Sequence, residues 1–404
     1  MDVRRWLNKS KIKRLNVKHL KKTKSPTVLP KGNFLNVKFG VIVENLTAQV
    51  ANNMESKLLF LLLISLLLQG CLRQQPVRCQ ELQAEEHSAA VTEDKMGGLT
   101  LVAPPRPFVS NPMVDIHAVN ADWVEIIPDG FTRLSEPKVS YNLDWQWWGE
   151  REDGIVESIR LAKAKGIKVM LKPQIYIPNG WTGTLDFETA AAWESWEKTN
   201  TAYVLHMAEL AEAEGVELFC LGTEFKVAIQ KRSEYWVDLI RQVRGVYRGA
   251  LTYASNWDNY QNIPFWSEMD YVGINAYFPL CDTKTPTTSE LLKKWHPIVQ
   301  EIEDFQCEIN KPIIFTEFGY LSVDACASKT WELEQRVRSI SINEQAQAVA
   351  LDALFLTFWG KSWWSGGFLW KWFPEMQGHE GYPEKDYTPQ GKEAEKVISK
   401  WYAN

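Results

Sequence analysis

Two glutamates in identical tripeptides are the residues best placed to do chemistry. Thr223-Glu224-Phe225 closes the apolar run VELFCLGTEF (216–225), and Thr316-Glu317-Phe318 lies in KPIIFTEFGY (311–320). Both runs are short, continuously apolar and preceded by a helical stretch with a turn signal, the pattern of a strand buried in a parallel sheet. Each therefore puts one carboxylate where a buried strand surfaces, and in an α/β barrel such strand ends converge on one mouth. Two carboxylates meeting there suit glycosidic bond cleavage, one as proton donor and one as nucleophile or base. A gap of about 5 to 5.5 Å would give retention, and about 6.5 Å or more would admit a water and give inversion. A single such glutamate is equally well explained as a strand-end carboxylate paired to Lys or Arg. Two of them, at corresponding positions and flanked by aromatics, favour catalysis.

The elements that must position them read as alternating strands and helices. AKAKGIKVMLKP (162–173) and AEAEGVELFCLG (211–222) both run from helix end to Gly to apolar strand, with Gly166 and Gly215 suited to a left-handed helix C-cap. Strands are expected at 99–103, 123–127, 168–172, 217–221, 251–254, 271–275, 313–316 and 368–370, and helices over 152–165, 187–214, 233–247, 289–305, 343–360 and 391–401. With no hairpin signals, this implies parallel pairing through right-handed crossovers, and eight units close a (β/α)8 TIM barrel in a single α/β domain over 99–404. Glu224 and Glu317 then follow strands four and seven, 93 residues apart, or about 31 per βα unit. The pattern is weakest at the first strand, which runs into Pro104, Pro105 and Pro107, and at the fifth helix.

TEF after strand four, INAYFPL (274–280), IIFTEFGY (313–320) and FLWKWF (368–373) resemble glycoside hydrolase family 113 over roughly residues 99–402. The resemblance implies a retaining (β/α)8 glycosidase of clan A, mostly β-1,4-mannanases, with Glu224 as acid/base and Glu317 as nucleophile. Where many clan members carry Asn before the acid/base this chain has Thr223, which leaves open what holds the sugar 2-hydroxyl. Mannan comes from the resemblance alone; glucan, xylan and chitosan, or a surface glycan-binding lipoprotein without turnover, are the alternatives.

Glu224 must keep a proton near neutral pH, for which the charge of Glu317 is the expected cause, and Glu317 needs donors such as the Tyr277 hydroxyl. Nineteen tryptophans suit a saccharide cleft, since sugar C–H faces stack on indole. Trp370 is the expected platform under the sugar at the cleavage site. Trp257, beside Asn256, and Trp181 are further candidates, whereas Trp193, Trp196, Trp236 and Trp359 are expected in the core. Trp145, Trp147 and Trp148 either line a distal subsite or fold a loop. Lys172, Gln174, Asn275 and Arg106 are candidate partners for sugar hydroxyls. The six histidines lack paired spacing and His379 reads as a solvated loop residue, so no metal and no cofactor are expected. Cys220 reads as a buried thiol, and Cys281 and Cys326 fall in adjacent loops where an exported protein could bridge them.

The amino-terminal end reads separately. Residues 1–53 carry twelve Lys and Arg against Asp2 and Glu44. Met54 then opens a charged start, the apolar run LLFLLLISLLL (58–68) and LQGC, which resembles a bacterial lipobox ending at Cys71. The expectation is translation from Met54, with 1–53 outside the native product, a signal peptide at 54–70, lipidation on Cys71 and a flexible tether at 71–98. Removing the net +10 of 1–53 from the chain's −5, with Glu55 and Lys57 cancelling, leaves −15 for 71–404. That balance argues against a nucleic-acid partner. The expected protein is an exported, lipid-anchored monomer acting on a poly- or oligosaccharide.

Overall fold

The computed structural model describes residues 95–374 and 383–403. Eight parallel strands close a barrel: β1 (Met96–Leu101), β2 (Trp123–Ile126), β5 (Lys168–Leu171), β7 (Leu218–Thr223), β8 (Ala250–Asn256), β9 (Val272–Asn275), β10 (Ile313–Phe318) and β11 (Trp364–Trp372). Every strand expected from the sequence is present. Closure comes from β1, which pairs with β2 on one side and β11 on the other.

Side chains fill the barrel interior. Trp123, Met170, Leu218, Cys220, Ala254, Ile314 and Phe368 form one buried cluster inside it, while alternate residues such as Phe219, Leu221, Phe315 and Leu369 join the larger core. That outer core includes Trp193, Trp196 and Trp236, with Trp359 packed against it. Cys220 is a free thiol pushed up to about 12, chiefly by burial.

The helices are α1 (Met113–Ala118), α2 (Glu152–Ala164), α3 (Ala190–Ala213), α4 (Lys226–Lys231), α5 (Ser233–Val246), α6 (Thr288–Ile309), α7 (Thr330–Arg336), α8 (Glu344–Phe358) and α9 (Glu393–Tyr402). Thr189, Thr287 and Asn343 cap α3, α6 and α8 by accepting from Ala192, Glu290 and Ala346 N–H groups. Gly166 and Gly215 take the left-handed conformation foreseen for them, at φ +72° and +65°. After β8, where the helical signal was weak, only the short turns Tyr260–Asn262 and Trp266–Glu268 occur.

Two expectations need correction. The barrel begins at Met96, so the end of the expected tether at 71–98 belongs to β1. Gly97-Gly98 is there for closeness and not for flexibility: a Cβ on Gly98 would sit 2.4 Å from the Phe368 ring. There is also a hairpin, β3 (Asp129–Arg133) with β4 (Glu136–Ser140), to which β6 (Gln174–Tyr176) adds a parallel strand. Its Leu134-Ser135 connection lacks the Gly or Asn that marks tight turns, and Pro137 is tolerated because β4 is an edge. Cys281 and Cys326 are both free, although Leu280 and Cys281 N–H groups donate to Ala327 O. The segments read as an upstream extension, signal peptide and lipidation site, most of the tether, and His379 lie outside the described residues.

Candidate active site

A line of charge crosses the C-terminal end of the barrel. Glu317, at the end of β10, accepts from Lys172 Nζ at 2.6 Å on Oε1 and from the Tyr277 hydroxyl at 2.9 Å on Oε2. Lys172 follows β5 and also meets Glu125 Oε1 of β2 at 2.9 Å, and Thr100 of β1 donates to Glu125 Oε2 at 2.6 Å. Lys172 and Glu125 have no exposed surface, and Glu317 is 7% exposed. Burial pushes the Glu125 carboxyl up to about 7, against the pull of Lys172. Burial alone would lower Lys172, but its two carboxylate neighbours outweigh that and hold it charged.

Glu224 sits just beyond β7 with a left-handed backbone, φ +58°, uncommon for a residue with a side chain. Its surroundings fix it there. Glu224 N–H donates to Ala254 O at 2.8 Å, and the next N–H, of Phe225, donates to the Tyr253 hydroxyl at 2.6 Å. Asn275 Nδ2 donates to Glu224 Oε1 at 3.0 Å while Thr316 Oγ1 donates to Asn275 Oδ1 at 2.9 Å, so one amide ties the two tripeptides together. The Trp181 indole N–H donates to the other oxygen, Oε2. Burial first, and the charge of Glu317 second, raise Glu224 above the ordinary carboxylate range; the bonds from Trp181 and Asn275 oppose them. The two glutamates therefore share one site with opposite settings: one receives a buried cation, the other feels burial and a like charge.

Around Trp370 opens a cavity of about 500 Å³, lined also by Trp145, Trp147, Tyr176, Gln174 and Lys371 among others. Trp370 faces this cleft from β11, with Lys172 Nζ 5.7 Å from its ring centre. The Trp370–Lys371 peptide is cis.

A family model described as Glycoside Hydrolase Family 113 matches residues 109–392. The chain belongs to glycoside hydrolase family 113. As a family 113 protein it is a glycoside hydrolase. Among solved structures it is similar to the GH113 β-mannanase AaManA from Alicyclobacillus acidocaldarius in complex with ManMIm, at TM-score 0.67 and 24% identity over 78% of this chain and 99% of that one. A further GH113 β-1,4-mannanase structure gives TM-score 0.63 and 26% identity over 76% of this chain and 98% of the other. The β-glucuronidase of Ruminococcus gnavus shares the fold, at TM-score 0.53 and 17% identity over 76% of this chain and 50% of that one. No curated protein matches the chain.

In this family 113 chain the candidates fall into three groups. Glu224, Glu317, Tyr277 and Asn275 are joined by hydrogen bonds, with Lys172 alongside. Lys172, expected to reach sugar hydroxyls, has no exposed surface and is held by Glu125 and Glu317. Trp370 and Gln174 line the cleft, and Gln174 Oε1 is buried without a partner, as is Thr223 Oγ1 beside Glu224. The others stand apart. Asn256 donates to Asp258, Trp257 stacks on Trp331 with ring centres 5.9 Å apart, and Arg106 is exposed and does not line the cleft. Of the tryptophan cluster, Trp145 and Trp147 line the cleft, whereas Trp148 is buried against Phe108. Glu125 escaped notice, although an acidic residue inside the apolar run WVEII was a signal for it.

Proposed function

We propose that this glycoside hydrolase is a retaining β-1,4-mannan or glucomannan hydrolase, with Glu317 as nucleophile and Glu224 as acid/base. The observation that carries the reading is the difference in setting between the two carboxylates. Lys172 and Tyr277 supply Glu317 with the donors an ionised nucleophile needs. Glu224, raised by burial and by Glu317, is suited to hold a proton. In the first step Glu317 attacks the anomeric carbon as Glu224 protonates the departing glycosidic oxygen. In the second, Glu224, now a carboxylate, takes a proton from water, which displaces Glu317 and leaves the configuration retained. Loss of the Glu317 charge in the glycosyl-enzyme removes one cause of Glu224's raised pKa, which fits its change from acid to base. Mannan as substrate is supported by the likeness to the GH113 β-1,4-mannanases.

The test is a reducing-sugar assay on mannan, glucomannan, xylan, cellulose and chitosan with parallel variants. Glu317→Ala should lose activity by several orders of magnitude. Glu224→Gln should lose it on polysaccharide yet still release the leaving group of activated aryl glycosides in a burst, since that first step needs no acid, before slowing at the second step, which lacks its base. Hydrolysis that favours another glycan would refute mannan, and unaltered rates in either variant would refute the assigned roles.

We also propose export and lipid anchoring through Cys71, a reading supported by the apolar run 58–68 and the LQGC that follows it. Labelling with a palmitate analogue should mark the chain, and Cys71→Ala should abolish the mark. Retention of the label would end that reading.

A further inference from the structure

The cleft beyond Trp370 carries an acidic pair that the two-step mechanism does not use. Asp129, the first residue of β3, and Glu150, just before α2, both line the 500 Å³ cavity. Burial raises each of them above the ordinary carboxylate range, and Asp129 is raised further by the charge of Glu150. Lys371, the cation lining the same cavity, lies 3.6 Å from Asp386 Oδ2.

The lining is also aromatic and open to solvent. Trp145, Trp147 and Tyr176 are 64%, 37% and 49% exposed, an unusual share of large apolar surface left facing water in one place. Phe131 backs them, with its ring centre 4.7 Å from Trp145 and 5.7 Å from Tyr176. Tyr176 stands on β6 and Phe131 on β3, strands of the small sheet that adds no strand to the barrel itself, while Trp145 and Trp147 lie in the loop after β4. Gln174 of β6 adds an acceptor, Oε1, that is buried and has no partner. The cavity thus offers apolar faces for stacking, together with two carboxylates and an amide oxygen: Glu150 already accepts from the Gln146 side chain and the Trp147 backbone, while Gln174 Oε1 is the acceptor without a partner.

We propose that Asp129 and Glu150 form a clamp for the sugar unit next to the one whose bond is cut, accepting its hydroxyl protons while the ring stacks on the Trp145, Trp147 and Tyr176 panel, and that they exclude sugars bearing a carboxylate. The placement next to the cut bond rests on the roles proposed for Glu224 and Glu317. Carboxylates accepting from hydroxyls make charge-assisted bonds, about twice as strong as neutral ones. A uronate brought to the same place would add a third negative charge to a poorly solvated pair. The clamp therefore selects neutral hexosyl units over acidic ones, a distinction that the glucuronidases of the same fold must make in the other direction.

Calorimetric titration of the full chain carrying Glu317→Ala tests this without turnover, so its outcome is independent of whether the intact chain cleaves mannan. The two probes are mannotriose and the β-1,4-linked mannuronate trimer, which differ at C6 alone. Mannotriose should bind at least tenfold more tightly. Adding Asp129→Asn and Glu150→Gln together should weaken mannotriose about tenfold and bring the two trimers within about twofold of each other. The thermal midpoint of that variant should be no lower than its parent's, because two like charges have been removed. The clamp is overturned if mannotriose affinity is unchanged in the double variant, if the parent binds both trimers equally or neither, or if the double variant melts lower, which would mark the pair as structural.

Discussion

Lys172 Nζ lies 2.6 Å from Glu317 Oε1 in a place where the lysine has no contact with water. Its other neighbour, Glu125 Oε1 at 2.9 Å, is equally buried. One cation therefore serves two carboxylates, and removing it leaves both acids next to each other in a dry barrel. Lys172→Met should destabilise the fold by about 3–5 kcal/mol, the usual cost of orphaning a buried charge. On the role proposed for Glu317, the same change should lower kcat/KM on the order of a hundredfold. Adding Glu125→Gln removes one of the two carboxylates left facing each other and should restore part of the lost stability. Thermal melts and kcat/KM on a soluble oligosaccharide give both readings; a Lys172→Met variant as stable as its parent would show that the lysine does not hold the two acids together.

A raised carboxyl pKa in the folded state has a cost whose sign can be worked out. Between the ordinary carboxylate pKa and the higher value Glu224 has when folded, the native chain binds more protons than the unfolded one. Stability from this group therefore falls as pH rises through that window and then levels off. Glu224→Gln removes the penalty. Its thermal midpoint should equal the parent's at about pH 4, below the ordinary carboxylate value, and exceed it at neutral pH. Equal midpoints at both would mean that Glu224 is not raised by the fold.

The parts of this arrangement that lie along the chain were legible in the sequence, and the parts that lie across it were not. β7 and β10 announce themselves because an apolar run ends in the same tripeptide twice, and Gly166 and Gly215 mark the helix ends that precede strands. Lys172 was visible as a polar residue at a strand end, but its partner Glu125 is 47 positions earlier, and nothing local says that the two strands are neighbours. The β3–β4 hairpin was missed because its turn residues carry no turn chemistry. With it went Asp129, which reads as an ordinary loop aspartate until the small sheet carries it to the cleft.

Trp181 gives the acid/base candidate its most exposed support. Its indole N–H donates to Glu224 Oε2, from a side chain 40% exposed on the loop after β6. A donor to a carboxylate favours the charged form, so Trp181 opposes burial and Glu317, the two causes that raise Glu224. Trp181→Phe keeps an aromatic face and removes the donor. The alkaline limb of kcat/KM should move to higher pH, with KM changed less than in Trp181→Ala, which loses the face as well. An alkaline limb unmoved in Trp181→Phe would show that the indole bond is absent in solution.

Two glycines separate close packing from mere permissiveness in this barrel. Gly98 lies in β1 where a Cβ would stand 2.4 Å from Phe368 Cδ1 and 2.8 Å from Gly367 O, with no room for either to move because β11 is its paired neighbour. Gly98→Ala should therefore destabilise by about 1–3 kcal/mol through overpacking. Gly245 lies inside α5 with nothing within 4 Å of its Cβ position. There the substitution adds no clash and restricts the unfolded chain, so Gly245→Ala should stabilise by about 0.4–1 kcal/mol. Denaturant melts of the two variants should shift in opposite directions. A neutral Gly98→Ala would mean that β1 does not close against β11 as far up as Met96, and that the barrel starts nearer to residue 99.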